Sequence, residues 1–340
     1  MPLFRGVAFS AALCLSAAVA QPAKVPRVGV LANTIPTKDL VAGTTTHPAV
    51  VGLLQSLRDR GWIPGQNVEM VWRSAEGDYT RHPRQARELA DTCDVIVVYG
   101  PGIDAAIKAT RTVPIVMATS GLTFPPLKDE LGHIRIASFA RPGGNVTGLT
   151  LNTGAGELNG KRLELMKTAA PRIRRVAILG HDLPHADAHV GPRTRKSADA
   201  LKLELATYSF GSALEKLEPV FAQMSRDRVD AVIVTELPAT NLLAVQKEIH
   251  RLAERHGIVA MHEVLAAVDS GGLMAYGPDI DKLYLRAGHF IDRILRGTPP
   301  GEIPIEQPTQ FELRVNVLAA KAIGLTVPPS LLVQAARVIQ

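Results

Sequence analysis

Short apolar runs recur along the chain, separated by stretches whose apolar residues fall every three or four positions. In the first half the runs are Val28-Gly-Val-Leu-Ala32, Asp94-Val-Ile-Val-Val98 and Val113-Pro-Ile-Val-Met117. In the second half they are Val176-Ala-Ile-Leu-Gly180, Asp230-Ala-Val-Ile-Val234 and Gly257-Ile-Val-Ala-Met261. A strand buried on both faces needs a continuous apolar run, whereas a half-exposed strand alternates; these runs are of the first kind. Between the first two, Val50, Leu53, Leu54 and Leu57 fall on one helical face that stops at Gly61. Further helices are expected over 81–91, 157–169, 214–226, 240–255 and 280–296, and further strands over 67–72 and 201–208. The pattern predicts an α/β protein of two Rossmann-like lobes with parallel sheets.

Between the two halves lies Arg141-Pro-Gly-Gly-Asn-Val-Thr-Gly148. Glycine and asparagine permit backbone angles that other residues resist, so Gly143 and Gly144 are expected to form a hinge, an ordinary fixed loop being the alternative. Further crossings are expected near Gly277 and Ile303, with Gly277 a third hinge glycine. Lobe one is then 27–142 with 278–303, and lobe two 143–277 with 304–340.

Composition narrows the class. A chain of 340 residues suits two domains that each bury a core, and 46% apolar residues argue against disorder. The net charge of +6 is spread along the chain; its densest cluster, Arg172, Arg174 and Arg175, has no stacking aromatics, so no nucleic-acid partner is expected. Residues 1–20 read as a secretory signal: Arg5, an apolar run over 6–18, and Ala18-Val19-Ala20 as the cleavage site. A periplasmic protein beginning at Gln21 is expected. Cys93 is then the only cysteine of the mature chain, which excludes an intrachain disulfide.

Several chemistries lack their motifs. No G-x-G-x-x-G follows the first strand, no G-x-x-x-x-G-K-[ST] occurs, and no G-x-S-x-G occurs. Neither an enzyme signature nor a cofactor site is therefore expected. His181, His185 and His189 lie four apart beside Asp182 and Asp187, a weak metal candidate because Pro184 interrupts a common helical face; solvated loop histidines are the preferred reading. In open parallel sheets, ligands bind beyond the carboxyl ends of the strands. Those ends are 32–36, 99–104, 118–122, 180–185, 235–241 and 262–263.

Arg141-Pro-Gly-Gly-Asn-Val-Thr-Gly148, Lys161-Arg-Leu-Glu-Leu165, Gly271-Gly-Leu-Met-Ala-Tyr-Gly277, Pro304-Ile-Glu-Gln-Pro-Thr309 and Ala322-Ile-Gly-Leu-Thr-Val-Pro-Pro329 occur in order along the mature chain. Together they resemble the ABC transporter substrate-binding proteins of the TrpX-like family. The resemblance implies a type I periplasmic-binding fold with three crossings and an interlobe ligand cleft, and some relatives carry aromatic amino acids. It implies a cognate membrane permease as partner. The sequence departs from the family at Ser120-Gly121, His181-Asp182 and His262, so the ligand is not carried over.

The expected function is an exported, monomeric solute-binding protein that takes a small molecule, an amino acid or other carboxylate, by lobe closure. From lobe one the candidate ligand residues are Asn33, Thr34, Gly102, Asp104, Thr119 and Ser120. From lobe two they are Asp182, Glu236, His262 and Glu263. Helix starts would favour an anionic group, and Glu236 or Glu263 an ammonium. A sensor of the same fold coupled to a membrane receptor, or a cleft isomerase or lyase, are the alternatives.

Overall fold

The computed structural model describes residues 24–40, 47–120, 126–129, 132–151, 158–180, 182–211, 213–236, 240 and 242–340; the expected signal peptide and His181 lie outside them. The first-half strands are β1 (Arg27–Ala32), β2 (Glu69–Ser74), β3 (Val95–Val98), β4 (Ile115–Ser120), the short pair β5 (Leu127–Lys128) and β6 (Ile134–Ile136), and β7 (Val146–Thr150). In the second half come β8 (Arg175–Gly180), β9 (Glu204–Ser209), β10 (Ala231–Val234), β11 (Val259–His262), β12 (Met274–Pro278), β13 (Phe311–Asn316) and β14 (Arg337–Ile339). The helices are α1 (Pro48–Arg58), α2 (His82–Thr92), α3 (Ile103–Ala109), α4 (Asn159–Ala169), α5 (Leu183–Ala188) and α6 (Pro192–Ala200). They continue with α7 (Leu217–Arg226), α8 (Leu243–His256), α9 (Ala266–Asp269), α10 (Ile280–Leu295), α11 (Val317–Ala322) and α12 (Pro329–Gln334).

Two sheets result. The first runs β2-β1-β3-β4-β7, all parallel, and the second β14-β13-β12-β11-β10-β8-β9, parallel except where β13 runs against β12. The continuous apolar runs are explained by burial on both faces. Val28, Val30, Val95, Val97 and Val116 pack against α1 and α10, whereas Leu31, Ile96, Val98 and Ile115 face α2 and α3. In the second sheet Val176, Ile178 and Ile233 pack on Leu163 and Met166 of α4, and Ala177, Val232 and Ala260 on Phe221 and Ile249 of α7 and α8. Helix ends follow their local chemistry. Asp279 caps α10 by accepting from Asp281 and Lys282 N–H, and Gly257 ends α8 at φ 64, the left-handed conformation that glycine tolerates.

The lobes divide differently from the sequence expectation. Val146–Thr150 pairs with β4, so the first lobe continues through Thr150 instead of ending at residue 142. Gly143 and Gly144 therefore shape a turn inside lobe one: Gly143 N–H donates to Gly301 O at 3.0 Å, and a Cβ on Gly144 would strike the Arg135 carbonyl. The chain passes between sheets after Thr150, again where Pro278 leads into α10, and a third time between Glu306 and Phe311. Glu306 still belongs to lobe one, its N–H donating to Gly148 O at 2.9 Å. Gly277 lies within β12, where a Cβ would strike the Glu263 carbonyl, so close approach of two backbones accounts for the glycine.

Candidate ligand cleft

Strand ends from both sheets converge on a cleft of 570 Å³. Asn33, Thr34 and Ile35 enter it from the end of β1, Tyr99 to Pro101 from β3, and Thr119 from β4. Glu236 enters from the end of β10 and Val264, Leu265 and Ala266 from β11, as expected for ligands at the carboxyl ends of parallel strands. The crossing into α10 adds Asp279, Asp281 and Tyr284, and Arg314 comes from β13.

The walls combine apolar and hydrogen-bonding surface. Tyr99 and Tyr284 meet edge to face at 5.2 Å and 74°. Tyr99 Oη donates to Ala49 O at 3.3 Å, and Tyr284 shares a side-chain hydrogen bond with Thr119. Burial pushes both phenols above their ordinary pKa, so each stays protonated. Asn33 is 5% exposed, and its side-chain oxygen has no hydrogen-bond partner. The starts of the two long helices α1 and α10 open on the cleft, and both are capped. His47 Nδ1 accepts from Ala49 N–H at 3.3 Å at α1, and Asp279 caps α10. Burial lowers the His47 pKa, against the pull of Asp39 and Asp281. Burial raises the Asp281 carboxyl, and the neighbouring Asp279 raises it further.

Of the residues expected from sequence, the structure brings Asn33, Thr34, Thr119 and Glu236 together around this cleft. Ser120 is the last residue of β4, its side chain outside the described atoms. The remaining placements differ. Gly102 is buried against Leu31 and His82, and Asp104 is exposed in the first turn of α3, neither lining the cleft. Asp182 precedes α5, where its carbonyl accepts from Ala186 N–H at 3.1 Å; it too lies off the cleft wall. His262 turns into the layer beneath α8 and meets His250 edge-on at 5.0 Å. Burial, then His250, lowers its pKa to about 3.

Glu263 is the largest correction. It is 9% exposed and lies under the cleft, its Oε1 2.6 Å from Arg162 Nη1 and 3.4 Å from His189 Nδ1. Its Oε2 accepts from the backbone N–H of Glu236 at 2.9 Å. Arg162 is completed by Asn159 Oδ1 and the Tyr276 carbonyl. Burial alone would raise the Glu263 carboxyl, but Arg162, with His189 and the Glu236 N–H, outweighs it and holds the pKa at about 2. The carboxylate is thus consumed within lobe two. His189, a candidate metal residue, is held here as well, its carbonyl accepting from Asn159 and Thr194, whereas the His185 side chain lies outside the described atoms. Sequence reasoning missed Tyr99, Tyr284, Asp281 and Arg314. The available signal was Asp279-Ile-Asp281 at the head of the amphipathic stretch 280–296, a capping pattern on a crossing.

The chain is similar to known binding proteins in sequence and in fold. A tyrosine-binding protein of Clostridioides difficile (strain R20291) is 24% identical over 298 residues, 84% of this chain and 79% of that protein. Among solved structures, an ABC domain from Streptococcus pneumonia in complex with L-Trp superposes with TM-score 0.74 at 21% identity, covering 92% of this chain and 99% of that one. A conserved domain protein from Vibrio cholerae gives 0.76 at 20% identity, covering 93% and 100%. The ligand-free, open structure of a substrate binding protein with adhesive properties from Clostridium difficile gives 0.66 at 18%, again covering 93% and 100%. The shared fold is the two-lobe, type I periplasmic-binding fold. With the family description "ABC transporter substrate binding protein" matched over residues 35–339, the chain belongs to the ABC transporter substrate-binding proteins.

Proposed function

We propose that this protein captures a small amine-bearing organic solute of amino-acid size between its lobes and delivers it to a cognate ABC permease. It acts as a monomer in the periplasm after cleavage behind Ala20. The observation that carries this reading is the cleft itself. Its 570 Å³ falls among the volumes, about 300–1,000 Å³, of small-molecule sites, and its walls come from both sheets and all three kinds of chemistry a solute needs. Tyr284, Ile35 and Leu265 offer apolar surface, Asn33 and Thr119 hydrogen bonds, and Glu236 and Asp281 negative charge. A solute touching both lobes stabilises their closed arrangement, because only that arrangement makes both sets of contacts.

A thermal-shift screen against amino acids, amines, carboxylates and sugars tests the proposal, with L-tyrosine and L-tryptophan included because relatives are named for them. A ligand at 100 times its Kd stabilises by about 2.7 kcal/mol. For a protein of this size that corresponds to roughly 4 °C. A screen in which no compound raises the melting temperature would overturn the reading.

A further inference from the structure

We infer that the cleft selects a solute of net positive charge, an organic ammonium or guanidinium ion. This rests on the reading of the cleft as the ligand site and names the charge class of its occupant. Four carboxylates line the cleft, those of Glu236, Asp269, Asp279 and Asp281, against one guanidinium, Arg314. The imbalance runs against the chain as a whole, which carries a net charge of +6.

The nearby cations are already engaged. Arg314 Nη1 lies 2.8 Å from Asp269 and its Nη2 3.9 Å from Glu312, and Arg337 Nη1 meets the other oxygen of Asp269 at 3.0 Å. That carboxylate is thus paired twice, and the excess negative charge rests on the others. Lys282 Nζ lies 2.8 Å from Glu312 and 3.2 Å from Asp279. Among the described residues no Lys or Arg forms an ion pair with Asp281; burial and the carboxylate of Asp279 raise its pKa, and Arg314 and His47 oppose them less strongly. The stretches 41–46, 121–125, 152–157 and 237–239 neighbour lining residues in sequence and lie outside the described structure; they contain neither Lys nor Arg.

The N-termini of the two long helices at the cleft are also taken. A helix N-terminus attracts anions through its unpaired N–H groups. Here the first N–H groups of α10 are met by Asp279, and His47 takes the Ala49 N–H of α1. Burial lowers the His47 pKa and so disfavours its charged form, against the pull of Asp39 and Asp281. What remains open is acceptor chemistry. Asn33, nine-tenths buried at the wall of the same cleft, has a side-chain oxygen with no hydrogen-bond partner, an acceptor that a solute N–H would satisfy once lobe closure brings the two into contact. Tyr284 adds an aromatic ring, a further partner for a cation. A zwitterion would set its own carboxylate against this surface without a free cation to receive it.

Two matched series decide the matter by calorimetry on the mature protein: tyramine, L-tyrosine and 3-(4-hydroxyphenyl)propanoate, then agmatine, L-arginine and L-citrulline. Within a series each unit fall in net charge, whether by an added carboxylate or a lost cation, is expected to weaken binding at least tenfold, with no detectable binding of the propanoate. Asp281→Asn is expected to weaken binding of the tightest cation at least tenfold, and raised salt to weaken it further. Equal affinities along a series, or tightest binding by the propanoate, would overturn the inference. If neither series binds while a sugar or carboxylate from the wider screen does, charge selection falls and solute binding stands. If nothing binds, both fall.

Discussion

Glu263 keeps its charge in the interior because Arg162, His189 and the Glu236 N–H converge on it. Removing one partner of a buried ion pair costs about 3–5 kcal/mol, since the other charge is left uncompensated. Glu263→Gln is therefore expected to lower stability by about that much, read as a fall in the urea midpoint, with a further effect on the placement of Glu236. The pH dependence follows from the pKa of about 2, below the ordinary 4.5. A depressed carboxylate pKa stabilises above pH 4.5 and the benefit is lost as pH falls towards about 2, so the wild type should lose stability across that window and the variant should not. The buried pair His250 and His262, held near 4 and 3, acts in a higher range. Both are neutral in the fold, so below pH 6.5 the unfolded chain takes up protons that the folded chain refuses, and stability declines. Replacing His262 with Phe should flatten the decline between pH 6.5 and 4 in urea titrations; an unchanged slope would place the titration elsewhere. None of this was legible from sequence. A polar residue just past a strand can face the cleft or turn under it, and the partner that decides, Arg162, lies 101 positions away.

At the scale of elements, the strands most readily legible were those buried on both faces, because only they produce continuous apolar runs. In the first sheet β1 and β3 could be read off almost residue by residue and β2 and β4 to within two or three residues, but β7 could not. Val146-Thr-Gly-Leu-Thr150 has one glycine and two threonines in five residues, which reads as a loop. In the fold its polar groups are answered: Thr147 Oγ1 donates to Ile303 O at 2.7 Å, and Gly148, at φ 116, lies where a Cβ would strike the Met117 backbone. Missing this strand moved the expected lobe boundary. The glycines of the crossings were likewise read as flexible, whereas Gly277 is required by space, its neighbour being the Glu263 backbone. Gly277→Ala should cost about 1–3 kcal/mol through displaced backbone, measured by chemical denaturation. A change below 0.5 kcal/mol, the ordinary range for a surface substitution, would show that β11 and β12 have room to part.

For the whole molecule, the central claim is that the space between the lobes is the solute site. Repetition of the apolar pattern announced two lobes, and topology then put the strand ends at the cleft. The cleft's charge was not legible, since it is assembled from Glu236, Asp269, Asp281 and Arg314, which lie far apart in sequence. Ala266 gives a direct way to test the claim: it lines the cleft, is exposed at the start of α9, and can be enlarged without entering a core. Calorimetric titration of wild type and Ala266→Trp with the same saturating solute is the deciding measurement. The expected result is one site per chain in the wild type and at least a hundredfold loss in Ala266→Trp, with the unliganded melting temperatures within about 2 °C, as for a surface substitution of under 0.5 kcal/mol. Unchanged affinity with the indole filling the cleft would contradict the account.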